Sequence, residues 1–149
     1  MEMNGMVVGV DGSAASVAAL RWAIAQARAH GCPITAVEVR APAHPLPGAS
    51  YAVQPYGSAP PVERTRTRLH DTVTAAVATV ADAPEIVEMR LEGDPGAELV
   101  RAAHDTGSTL VLGYTPHTRL TEFLFGRVTG ECLRLSRQPV VLVPDSGRR

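Results

Sequence analysis

The sequence predicts an α/β fold, a doubly wound parallel sheet of five strands with helices on both faces. Three observations carry that prediction. Short apolar, β-branched runs alternate with longer segments whose apolar residues recur at helical spacing. Gly or Pro stands at most of the junctions between them. The chain of 149 residues suits one domain, 1–149, and is long enough to bury a single core.

The elements follow in order. Met6 to Val10 is a continuous apolar run of the kind that an inner strand buries on both faces, and Asp11-Gly12-Ser13 stops it. Ala14 to His30 reads as a helix, with Val17, Leu20, Ile24 and Ala27 at helical spacing, Ser13 as N-cap and Gly31 just past the end. Pro33 introduces a second strand, Ile34 to Val39. Ala41 to Pro61 then carries six prolines together with Gly48, Ser50, Gly57 and Ser58, so 41–62 is an inserted loop. Loops of that length in compact domains are commonly functional.

Glu63 to Ala81 is the second helix, with Leu69, Val73, Ala76, Val77 and Val80 on one face. Ile86 to Leu91 alternates apolar and polar residues, as does a strand with one face partly wet. Gly93-Asp94-Pro95-Gly96 turns into a helix at Ala97 to His104, which Gly107 ends. Thr109 to Leu112 is the fourth strand, with Gly113 expected to terminate it and Tyr114 to Phe125 expected as loop. A helix from Arg127 to Arg137 should bury Val128, Cys132 and Leu135. Val140 to Val143 is the last strand, fenced by Pro139 and Pro144.

Composition removes several classes of function. With 45% hydrophobic and 19% charged residues the chain is neither disordered nor fibrous. No apolar run approaches the ~20 residues that span a bilayer. Met1 to Gly5 lack a basic region before a short apolar run, so the expected location is cytoplasmic. A net charge of −1 argues against a nucleic-acid partner held by a basic surface. All 14 basic residues are Arg, which excludes a phosphate-binding or Schiff-base lysine. Cys32 and Cys132 are too few for a disulfide framework and read as buried, reduced thiols. The five His show no i,i+4 pair, so no metal is expected.

In a doubly wound sheet the ligand lies beyond the C-terminal strand ends, where the strand order reverses. The segments there are Val10-Asp11-Gly12, Val39 with the Pro-rich loop, and Gly113 to Thr129. The helix opening Gly126-Arg127-Val128-Thr129 presents free N–H groups and the positive end of a helix dipole to an anion. The Thr129 hydroxyl and the Arg127 guanidinium add donors. The competing reading is a plain helix start with Arg127 solvated.

The Asp11 carboxylate can accept from a ribose hydroxyl or an adenine edge, or can bond the following turn and cap the first helix. Arg64, Arg66 and Arg68 read as a solvated face, or else as a rim for phosphate. Trp22 and Phe125 read as packing residues. Tyr51 and Tyr56 read as exposed, with a lid over adenine as the sharper alternative, and His117 reads as solvated. A Val-Val-Leu-Val strand at a sheet edge is an aggregation hazard unless paired, and pairing across a two-fold axis gives an isologous dimer.

Val7-Val8-Gly9-Val10-Asp11-Gly12-Ser13, Gly93-Asp94-Pro95, and the ending from Gly126-Arg127-Val128-Thr129 through Arg137-Gln138-Pro139-Val140-Val141-Leu142-Val143-Pro144 resemble the universal stress protein family, in its order and over nearly the whole chain. The resemblance implies a Rossmann-like sandwich of the adenine nucleotide alpha hydrolase-like kind. It also implies a homodimer through Val140, Val141, Leu142 and Val143, and a role in stress response.

The family's nucleotide-binding branch carries G-x2-G-x9-G-[ST]. Gly113 and Gly126 match its first and last glycines at the right spacing, whereas Pro116 replaces the middle glycine and Arg127 the hydroxyl residue. Pro116 removes a backbone donor and biases Thr115 toward extended backbone. By resemblance, Gly9, Val10, Asp11 and Val39 would hold a nucleoside, and Leu112, Gly113 and Thr115 would line the floor. Gly126, Arg127, Val128 and Thr129 would meet the phosphates. The implied ligand is ATP, with AMP or cyclic AMP as competitors because the cradle is altered, and Mg only as the companion of ATP. The alternative is a dimeric interaction protein that binds no nucleotide, its phosphate site closed by Arg127 and Pro116. Catalysis is not expected, since Asp11 and His117 are weak candidates for a general base.

Overall fold

The structure, a computed structural model, describes residues 3–40, 61–116 and 126–145, and of 61–67 the backbone alone. Nine elements alternate along the described chain: β1 (Met6–Gly9), α1 (Ala14–His30), β2 (Ile34–Arg40), α2 (Pro61–Val77), β3 (Ile86–Glu92), α3 (Pro95–Thr106), β4 (Thr109–Tyr114), α4 (Gly126–Leu135) and β5 (Val140–Pro144). The five strands form one sheet in the order β3-β2-β1-β4-β5, every pair parallel. The order reverses between β1 and β4, so the crevice expected of a doubly wound sheet opens at their C-terminal ends.

Each inner strand is buried on both faces because its alternate residues meet different helices. Met6, Val8 and Val10 of the first strand region pack with Ile34 and Ala36 against α1 and α2. Val7, Val37, Leu110 and Leu112 face Leu99 and Ala103 of α3 and Cys132 of α4. α1 shows its core through Leu20, Ile24 and Ala27, with Ala19 and Ala23 allowing close approach to the sheet. Burying a Leu or Ile side chain contributes roughly 1.5–3 kcal/mol. Trp22 packs against the same layer from its margin. Both cysteines are buried and free.

The helix signals act as the sequence predicts. Ser13 Oγ accepts from the Ser16 N–H at 3.1 Å, and the Gly31 N–H donates to the Ala27 carbonyl at 2.7 Å. Asp94 caps α3, accepting from the Ala97 N–H at 3.2 Å.

Several boundaries differ, each for a physical reason. α2 begins at Pro61, inside the expected loop, because proline suits the first turn of a helix. It ends at Val77 rather than Ala81, and the chain then turns through Asp82 with φ +55°. α3 is longer at both ends than expected, since its cap is Asp94. Gly113 does not terminate β4: Gly113 and Tyr114 stay paired to Val143 and Pro144. The fourth helix keeps Cys132 buried, but Val128 and Leu135 are 37% and 39% exposed while Thr129 is buried in their place. In β3 the wet face carries apolar side chains, Val87 and Met89, because this strand lies at the sheet edge where α3 covers only part of it, Leu91 included. The Pro-rich loop with Tyr51 and Tyr56, the side chains of Arg64 and Arg66, and His117 and Phe125 lie outside the described residues.

Candidate functional site

A cleft of about 180 Å³ opens at the C-terminal ends of β1, β2 and β4, where the strand order reverses. Its strand-side lining is Gly9, Val10, Asp11, Val37, Val39 and Gly113. Three helices point their first turns at it: α1 through Ser13 and Ser16, α3 through Pro95 and Leu99, α4 through Val128 and Thr129. Apolar walls with a few convergent polar groups are the usual make-up of a small-molecule site.

The polar end is the turn after β1. The Asp11 Oδ1 accepts from the Ser13 N–H at 2.9 Å. Ser16 Oγ donates to the Ser13 carbonyl at 2.9 Å and lies 3.4 Å from the Asp11 N–H. Burial acts to raise the Asp11 pKa. It is outweighed by the hydrogen bonds from Ser13 and Ser16 and by the nearby Arg68 charge, so the carboxyl stays below its ordinary range. Asp11 is therefore an ionised acceptor, already engaged by the backbone on one oxygen, and a poor base.

Gly113 is where β4 meets α1. A Cβ at that position would stand 2.0 Å from the Ala15 carbonyl oxygen and 3.0 Å from the Ser16 nitrogen. The glycine is required by the close approach of two backbones. Gly126 differs: its φ is +72° and none of the described residues comes within 4 Å of the same hypothetical atom, so what it supplies is a backbone conformation.

Between α3 and α4 the Glu131 carboxyl stands against that of Asp94 and, when protonated, can donate a hydrogen bond to it. That bond holds Asp94 below the usual carboxylate range and pushes Glu131 above it, and Arg127 lends both a stabilising positive charge. Among the described residues no group of three or more His, Cys, Asp or Glu stands ready for a metal ion. Among the same residues no helix is long and apolar enough to cross a membrane.

Seven of the eleven residues singled out from sequence come together here: Gly9, Val10, Asp11, Val39, Gly113, Val128 and Thr129. Leu112 is buried beneath, in the layer facing α3, and Thr115, Gly126 and Arg127 are exposed outside the lining. Pro116 is exposed as well. Sequence reasoning missed Ser13 and Ser16 as lining residues, and Val37, Pro95 and Leu99. The available signal was the capping pattern itself, since the first turn of a helix that follows the crevice strand must face the crevice. Arg68 also departs from a purely solvated face: its Nε and Nη2 both donate to Glu38 Oε1.

A family model described as the Universal stress protein family matches residues 3–144. Among solved structures, a universal stress protein in complex with cAMP is 23% identical, with 98% of this chain and 100% of that one covered at a TM-score of 0.66. Two from Archaeoglobus fulgidus are each 21% identical. One covers 93% of this chain and 97% of its own at a TM-score of 0.68. The other, in complex with dAMP, covers 96% and 99% at 0.66. Among curated proteins none matches the chain significantly.

Proposed function

Since the chain belongs to the universal stress protein family, we propose that it binds an adenine nucleotide in the cleft between β1 and β4 and acts as a dimeric stress-response regulator. The observation that carries this reading is convergence. Residues far apart in sequence (Asp11, Val39, Gly113, Thr129) meet in one cleft at the switch point. The apolar walls of Val10, Val37, Val39 and Leu99 suit the faces of a purine. The Asp11 carboxylate suits an exocyclic amine or ribose hydroxyls as donors. The enclosed volume is below the ~300–1,000 Å³ of a pocket that swallows its ligand whole. Base and sugar would fill it, leaving the phosphates at the open end beside Gly126, Arg127, Val128 and Thr129, with Thr115 and Leu112 nearby.

Similar structures in complex with cAMP and dAMP support the adenine class of ligand. ATP, AMP and cyclic AMP are the candidates, Mg entering only with ATP. The expected setting is the cytoplasm, and pairing would run through the terminal strand β5, Val140 to Val143. The reading is binding, not turnover, because the carboxylate at the site is held ionised and hydrogen-bonded. The exposed placement of Arg127 and Pro116, outside the lining, argues against a phosphate end closed by them.

The test is direct. One portion of purified protein is denatured and the released small molecules are identified by mass; a second, folded portion freed of ligand by dialysis is titrated calorimetrically with ATP, AMP and cyclic AMP. Stoichiometric nucleotide, or saturable binding below millimolar, is expected. No binding of any of the three at millimolar concentration would leave the family's scaffold as an interaction module.

A further inference from the structure

On the sheet face that meets α1 and α2, β2 carries a carboxylate in its core: Glu38 is 1% exposed. Its Oε1 takes both Arg68 donors, and its Oε2 has no hydrogen-bond partner among the described residues. A buried charge of this kind is costly unless its partner is held firmly. The partner, half-exposed on α2, does a second thing. Its stem lies across Gly12, where a Cβ would come within 2.6 Å of the Arg68 Cδ, and Gly12 has φ +84°. The same guanidinium helps to keep Asp11 ionised. Gly12 sits between Asp11 and Ser13, and both of those line the cleft.

We propose that Arg68, anchored by Glu38, is a positioning residue that clamps the Asp11–Ser13 turn and so couples α2 to the nucleotide cleft. The proposal deepens, and rests on, the adenine-nucleotide reading above. The buried carboxylate fixes the guanidinium, and the stem held by it fixes the turn. The turn in turn presents Asp11 and Ser13 to the nucleoside. Because coupling between sites is reciprocal, occupancy of the cleft should in turn hold α2 in place.

The variants are Arg68→Met, which keeps an unbranched stem over Gly12 and removes the charge, Arg68→Lys, which returns a charge, and Glu38→Gln. Each is titrated with adenosine and with AMP, and amide hydrogen exchange at Gly12 and Ser13 is followed without ligand. Arg68→Met should weaken adenosine and AMP by the same factor, about tenfold, and speed exchange in the turn. Arg68→Lys should recover most of both, and Glu38→Gln should follow Arg68→Met in direction. Loss of AMP affinity with adenosine unchanged would make Arg68 a phosphate ligand instead and overturn the clamp. So would wild-type affinity and wild-type exchange in Arg68→Met. If wild type binds neither ligand, the nucleotide reading fails by itself and exchange in the turn alone decides the clamp. If Arg68→Met does not fold, Arg68→Lys against Glu38→Gln makes the same comparison.

Discussion

Replacing Gly113 by Ala asks whether the crevice is set by backbone contact. The new Cβ would lie 2.0 Å from the Ala15 oxygen and 2.4 Å from the Ala15 carbonyl carbon. Carbon and oxygen in ordinary contact are over an ångström further apart, and both offending atoms belong to backbone, so no rotamer change relieves the overlap. Either the end of β4 or the first turn of α1 must move. α1 is fastened to the sheet by Leu20, Ile24 and Ala27, and β4 is paired on both sides. Overpacking a rigid core costs about 1–3 kcal/mol and occasionally more. With backbone on both sides the upper end applies, so we expect about 3 kcal/mol in urea unfolding. At roughly 2–4 °C per kcal/mol for a chain of this size, that is a fall in Tm of about 6–12 °C. Ser16 would move with the turn, and nucleotide binding would fall with it. Gly126→Ala is the internal control. Its Cβ meets none of the described residues, so the cost expected is that of a left-handed φ, about 1–2 kcal/mol, and Gly126→Asn should pay less. A Gly113→Ala protein within 1 kcal/mol of wild type, or one damaged no more than Gly126→Ala, would refute the reasoning.

Two further outcomes follow from the titrating groups. The folded pKa of Asp11 lies below its ordinary 3.8, so its contribution to stability is present above that value and is lost as pH falls through the lowered one. Urea unfolding of Asp11→Asn as a function of pH should therefore lack the part of the acid-side slope that wild type shows below pH 3.8; superimposable slopes would count against the assignment. Burial, aided by the charges of Glu131 and Asp94, pushes the Cys132 thiol up to about 11, and Cys32 is also buried. A disulfide reagent at pH 8 should find neither thiol in the native protein and both in denaturant, and rapid native labelling of Cys132 would contradict its place on the buried face of α4.

The sheet was legible because its signals are local and redundant. The Met6–Val10 run, the Ser13 cap and the glycines at 31 and 107 each name one junction without reference to the rest of the chain. Gly113 shows where that stops. In sequence it is a strand breaker, whereas in the fold it is a place where another backbone passes within contact distance. No local pattern distinguishes those uses. The α4 misassignment is of the same kind: Val128 and Leu135 share a helical stripe with Cys132, yet they are exposed and the buried positions are Thr129 and Cys132, because packing against α3 and β4 selects the face. Glu38 was invisible for a different reason. A Glu in an apolar strand reads as the polar half of an alternation, and its partner lies thirty residues away on another helix.

The cleft residues divide by whether the fold already needs them. Asp11 bonds the turn, Ser16 ties that turn to α1, and Gly113 lets α1 sit on β4. Each would be held in place by folding alone, so the end of the cleft proposed for the nucleoside would be preorganised without ligand, and little ordering entropy would oppose binding there. Thr115, Pro116 and Arg127 are exposed and outside the lining. Pro116 and Arg127 are also where the glycine signature departs from its usual form. A proline that forfeits an N–H, or an arginine in place of a hydroxyl, costs the fold nothing at such positions. On the proposed nucleotide reading, affinity for the nucleoside would thus be tied to stability. Discrimination among phosphate tails would not be, and it is the property that substitution at this end of the cleft would change while leaving the sheet intact.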